Sequence, residues 1–242
     1  MNKNQLNRLL NNYFLIFYFV LLILCGGYIK TVSFDTPGAV LFVSAVWLTY
    51  CFFYLLPAFL LTRIYLFFGG RKIGGTVGRA YKTGVYLLAV GTTSLTAFLL
   101  FADQVLYGIF GFHINGFVLN LVTTAGGIES MGANTAAYVT FSLFGIGIAV
   151  LQIVLLGALH IFYDRQLKKG TWKPRKLYRY ALALILVVSM AERITYGISH
   201  IRGYRPVLLA SGAFPLYLPL TFRSLALKLG IDVKRPNSLK MG

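Results

Sequence analysis

The chain has 242 residues, 57% of them hydrophobic and only 12% charged, with a mean hydropathy of +0.72. Soluble domains carry about twice that charged fraction, so the composition excludes an ordinary soluble enzyme and points to a polytopic membrane protein. The formal charge of +17 would suit nucleic acid, but the placement of the basic residues reads as membrane topology and argues against a nucleic-acid partner.

In chain order, Lys3 and Arg8 precede a first apolar run over Tyr13 to Ile29, too long and without the small-residue site of a cleaved leader. The turn-rich SFDTPG of residues 33–38 leads to a second run, Ala39 to Leu61, in which Pro57 is expected to kink a helix. Residues 63–82 carry Arg63, Arg71, Lys72, Arg79 and Lys82 and no acid. Their glycines lack the G-K-[S/T] ending of a phosphate loop, so a flexible loop is expected there. The third run spans Gly84 to Ala102. Asp103 to Ala133 then has no Lys or Arg, and its apolar pieces are too short to span, which predicts two short interfacial helices. The fourth run is Tyr138 to Phe162, seven basic residues follow between Asp164 and Arg179, and the fifth run is Tyr180 to Ile201. Cys25 and Cys51 both lie inside apolar runs and read as small core residues rather than a disulfide.

With the N-terminus inside, the inner segments hold 14 of the 23 Lys and Arg residues, and the first two outer loops hold almost none. That asymmetry predicts an all-α membrane protein with five transmembrane helices, N-terminus in and C-terminus out, and short interfacial helices on the outer side. The expected division is a five-span domain over residues 1–201, which includes the outer segment 103–133, and a connector over residues 202–242.

The connector opens with YRPVLLASGAFPLYLPLTFR, Tyr204 to Arg223. Pro206, Pro215 and Pro219 each remove a backbone donor, so this apolar stretch cannot be a sixth spanning helix and belongs at the membrane–water boundary. Arg205, Arg223 and Lys228 flank it and suit phosphate-bearing headgroups, making anionic lipid the natural partner. Tyr204, Phe214, Leu216, Tyr217 and Leu218 are expected at the headgroup boundary or against acyl chains.

Chemistry-bearing residues are sparse. Glu192 and Arg193 lie within the fifth run, where charges are costly and mark either a structural ion pair or a relay. As helix neighbours they point apart, and Asp103 is a possible partner for Arg193. Asp103, His113, Asn115 and Glu129 complete an outer-face polar set. There is no G-x-S-x-G, HExxH or paired-carboxylate pattern, and three dispersed histidines predict no metal or other cofactor in this chain.

Two patterns carry a family resemblance: D-x6-F-x2-H-x-N at Asp103, Phe110, His113 and Asn115, and YRP-x8-PL-x2-P-x-T-x-R from Tyr204 to Arg223. In these the chain resembles the N-terminal domain of the PbgA/YejM family of bacterial inner-membrane proteins and, more loosely, lipoteichoic acid synthases and phosphoethanolamine transferases. The resemblance implies a five-helix domain in the bacterial inner membrane, its C-terminus periplasmic, and a lipid-contacting connector after Tyr204. It also implies a downstream sulfatase/alkaline-phosphatase-like hydrolase domain, where a divalent metal would be expected, with this chain as the membrane part of a longer protein. Ser224 stands where the family connector has a second arginine, and His200 where it has an acid, so general anionic-lipid contact is expected rather than tight lipid A recognition. Two alternatives stay open. The outer polar set would position a lipid donor for phosphoryl or sulfuryl transfer, or Asp103, Glu192 and Arg193 would serve a small transporter. A partner protein in the membrane is also compatible with the sequence.

Overall fold

The computed structural model describes residues 3–32, 34, 36–69, 78–169, 177–222 and 228. Among these the chain is all-helical: α1 (Lys3–Ile29), α2 (Pro37–Gly69), α3 (Arg79–Phe110), α4 (Gly116–Thr123), α5 (Gly127–Ser130), α6 (Thr135–Lys169), α7 (Leu177–Arg202) and α8 (Arg205–Ser211). Five of them, α1, α2, α3, α6 and α7, are long and apolar enough to cross a membrane.

The long helices extend past the apolar runs that mark them in the sequence. The run over Gly84 to Ala102 becomes a helix of 32 residues, and that over Ala39 to Leu61 one of 33. At 1.5 Å per residue the latter is about 50 Å long, well beyond a hydrocarbon layer of about 30 Å. Polar flanks continue the helix because each added turn satisfies backbone groups inside the segment. Residues 103–110 therefore belong to α3 and not to the outer loop. Pro57 lies inside α2 without ending it. The two short helices expected before the fourth span are α4 and α5. The proline-rich stretch after α7 forms no spanning helix: Pro206 occupies the first turn of α8, where its missing N–H goes unneeded, and residues 212–222 carry no helix.

The chain divides into two compact units, Met1–Leu24 with Phe53–Pro174, and Cys25–Phe52 with Arg175–Gly242. In the first unit α3 packs against α6, with the Phe101 ring stacked on Phe144 at a centroid distance of 3.9 Å. Tyr13, Phe17, Val85, Ala89 and Ala97 are fully buried there. Tyr13 donates its hydroxyl proton to Gln152 Oε1 at 2.8 Å, and its oxygen lies 2.6 Å from Thr93 Oγ1, a polar knot among three spans. In the second unit α8 packs on α7, and Cys25 and Cys51 are buried and not joined in a disulfide.

Candidate functional site

The outer polar set of the first unit is built around the end of α3. Gly111 closes that helix in the left-handed conformation, φ 72°, which glycine adopts without a Cβ penalty. The turn brings His113 back onto α3. Its Nδ1–H donates to Asp103 Oδ2 at 2.8 Å, and the Ile114 N–H donates to Asp103 Oδ1 at 2.7 Å. The imidazole stacks on Tyr107 at 4.3 Å and 7°. Asn115 caps α4 by accepting from the N–H groups of Phe117 and Val118. Glu129 accepts instead from Tyr138 at 2.8 Å. Of the four residues in this set, the structure thus joins Asp103 with His113 as an oriented carboxylate–imidazole pair. Asn115 serves a helix cap, and Glu129 meets α6 in an exposed contact. The spacing D-x6-F-x2-H-x-N is accounted for as a helix–turn–helix corner.

The second unit holds Glu192 and Arg193 and the strap of residues 212–222. Glu192 is buried, its Oε1 3.6 Å from Arg193 Nε, within ion-pair range but too far for a hydrogen bond. The two neighbours therefore meet each other, where separate partners were expected. Asp103, the partner suggested for Arg193, belongs to the first unit.

The stronger contact of Glu192 comes from the strap. Tyr217 donates its hydroxyl proton to Glu192 Oε2 at 2.8 Å. Its ring lies among Tyr50 at 5.2 Å, Tyr196 at 5.6 Å and Phe42 at 6.2 Å. Burial first, and then the Glu192 carboxylate, push the Tyr217 phenol above its ordinary range, so it stays a donor. The Leu218 N–H donates to Tyr50 Oη at 2.8 Å, and Phe214 is buried against Tyr28 at 5.9 Å. Between these anchors Leu216 is held at φ 59°, a strained conformation for a residue with a branched side chain. Near the end of the described strap Gly197 of α7 lets Leu220 and Phe222 approach its backbone closely.

These contacts correct one expectation. Phe214 does not lie against acyl chains, being 2% exposed, while Tyr217 is half-buried with its hydroxyl turned onto α7 and its ring beside Tyr50 of α2. An aromatic residue beside prolines reads the same whether it faces lipid or protein, and here a buried carboxylate draws the ring inward. Leu216 and Leu218 are 77% and 68% exposed, joined by Leu209 and Leu220. Tyr204 and Arg205 are exposed, Tyr204 donating to Thr36 Oγ1 at 2.7 Å, and Lys228 is exposed. Arg223 lies outside the described residues.

Sequence reasoning missed the Tyr217–Glu192 bond, although a lone acid in a span and a tyrosine in a broken apolar segment were both visible. Among the described residues no group of three or more His, Cys, Asp or Glu could hold a metal ion.

Among the described residues the fold and these sites define an all-α membrane protein with five helices long and apolar enough to span and a strap bound back onto the last of them. Over residues 1–238 the chain matches the family described as "Domain of unknown function (DUF3413)", and it belongs to that family. No curated protein matches it.

Proposed function

We propose that this chain is the membrane anchor of a PbgA/YejM-like inner-membrane protein and that its strap contacts anionic lipid. The observation that carries this reading is the two-sided strap. Phe214, Pro215 and Tyr217 face the protein, while Leu216, Leu218 and Leu220 are exposed, as are Leu209 and Arg205 of the adjoining α8. Exposed leucines beside a cation on a segment that cannot span suit the headgroup–acyl boundary of a membrane with anionic lipid. Each basic residue near such a surface is worth about 1 kcal/mol, so Arg205→Ala should lower the anionic lipid retained on purification about fivefold. Leu216→Gln with Leu218→Gln should lower total lipid on the same face. Lipid content unchanged in both variants, measured by native mass spectrometry, would refute the reading.

A second reading, in which the outer polar set positions a lipid donor for a transfer reaction, rests on the Asp103-oriented imidazole of His113. It requires His113→Ala to impair turnover of the full-length protein with its melting temperature unchanged. Normal kinetics would remove it.

A further inference from the structure

Arg63 sits in α2 within two turns of the helix end at Gly69, where an arginine reads from the sequence as one more loop charge. In the structure it is half-buried and fixed from three sides. Its Nη1 donates to Asn7 Oδ1 at 2.8 Å, and its Nη2 donates to Asn11 Oδ1. Its guanidinium carbon lies 4.7 Å from the centre of the Phe59 ring, and Phe59 packs on Phe14 of α1 at 5.4 Å. Asn7 and Asn11 are one helical turn apart on α1, so together they grip the planar fork and set its orientation.

The chemistry of that grip is one-sided. Arginine has five N–H donors and no acceptor, so both asparagines must turn their carbonyl oxygens toward it. Each Nδ2H2 group then points elsewhere as a donor. On the guanidinium, Nε–H and the second proton of each terminal nitrogen remain. The partners are neutral, so the charge is undiminished: no carboxylate lies within ion-pair distance of Arg63 among the described residues. Asp164, the acid nearest in sequence to Tyr163, is exposed, while Tyr163 itself accepts from Asn12 at 2.6 Å and donates to the Arg8 carbonyl at 3.3 Å. Lys3 and Arg8 on α1 add further positive charge, and the first acid in the chain is Asp35. The result is a fixed array of donors around one cation, at the end of the bundle where α1 begins and α2 ends, with an aromatic wall on one face.

We propose that Arg63, Asn7 and Asn11 form a binding site for a phosphate group, carried by an anionic phospholipid in the leaflet at that end of the helices. A phosphodiester offers acceptors only and one negative charge, which complements the array in both respects, and a fork held in place loses little entropy on accepting it. This site is independent of the strap.

The test uses the full chain in nanodiscs of phosphatidylcholine doped with phosphatidylglycerol, with bound lipid counted by native mass spectrometry. The wild type should retain phosphatidylglycerol selectively. Arg63→Gln should weaken that retention about tenfold, the scale of one charge-assisted interaction. Asn11→Asp is the control for folding: it places a carboxylate on Arg63, should leave the melting temperature unchanged or raised, and should weaken retention as much as Arg63→Gln. Arg63→Lys keeps the charge without the fork and should fall between. Retention that persists under excess inorganic phosphate identifies a lipid. Displacement by phosphate would overturn the lipid assignment and give the same donors to a soluble phosphate. Equal retention in the wild type, Arg63→Gln and Asn11→Asp would overturn the site. Arg205→Ala is run in parallel, so that failure at the strap and failure at Arg63 are read separately.

Discussion

Arg63 and Glu192 face the same problem in different units: an ionisable group within a helix long and apolar enough to span. Each is met by neutral side chains from elsewhere in its own unit. The outcomes differ because the groups differ. Arginine carries more donors than two asparagines can use, so donors remain for something else. Glu192 is fully withdrawn from solvent, and its strong contact is the Tyr217 hydroxyl, delivered by an irregular stretch of chain. A charge with surplus donors makes a binding site. A buried carboxylate bonded to a strap fixes where that strap lies.

The comparison breaks most easily on the strap side, and the largest expected effect is steric. A methyl group at Gly197 would meet the Phe222 ring and lie 3.0 Å from the Leu220 carbonyl oxygen, a backbone atom that cannot swing away. Gly197→Ala should destabilise by about 2–3 kcal/mol, as overpacking does. It should also expose residues 212–222 to protease before the helices unfold. A melting temperature in detergent equal to wild type would show that the strap is not held at α7.

Next in size is Tyr217→Phe, which keeps the ring packing and removes the donor. Leaving Glu192 Oε2 unsatisfied should cost about 1–3 kcal/mol, visible as a lower melting temperature. Adding Glu192→Leu removes the unsatisfied carboxylate but also strips Arg193 of its ion-pair partner, so it should recover only part of that loss. If the single variant melts like wild type, the bond does not anchor the strap.

What could be read from the sequence follows the same division. The five spans were legible because an apolar run of about twenty residues has few alternatives. Their ends were not, because Arg79–Lys82 and Asp103–Phe110 are polar enough to look like loop yet continue α3. The residues Asp103, His113 and Asn115 stood out in the sequence as a spacing, but the corner they form did not: its bonds close within a dozen residues, whereas Asp103 reads from the sequence as a possible partner for Arg193. The Glu192–Tyr217 bond spans 25 residues, one partner on an irregular segment, and no periodicity announces it. Phe214 was expected against acyl chains for the same reason, whereas it is buried against Tyr28. Arg63 was counted with the basic loop because hydropathy ends the second run at Leu61, whereas the helix continues to Gly69.

A smaller effect is expected in the first unit, at the knot of Tyr13, Thr93 and Gln152. Interhelical side-chain bonds among spans average about 0.6 kcal/mol and reach about 1.7 kcal/mol. Tyr13→Phe should therefore destabilise by about 1 kcal/mol, less than Tyr217→Phe. A loss larger than that of Tyr217→Phe would reverse the ranking of the two units.

The smallest expected effect concerns Glu129, outside the spans. A hydrogen bond from its own backbone N–H, and then the Tyr138 hydroxyl, hold its carboxyl below the ordinary range. A depressed carboxyl favours the folded state above the unfolded value near pH 4.3, and the contribution disappears as pH falls through the folded value. The group is fully exposed, so solvent screens the interaction. Tyr138→Phe should leave the melting temperature at pH 7 unchanged within error and flatten its decline below about pH 4.5 only slightly. A marked loss at neutral pH would mean that this outer contact carries load comparable to the buried bond of Glu192, and the contrast between a screened carboxylate and a desolvated one would no longer explain why the chain anchors its strap where it does.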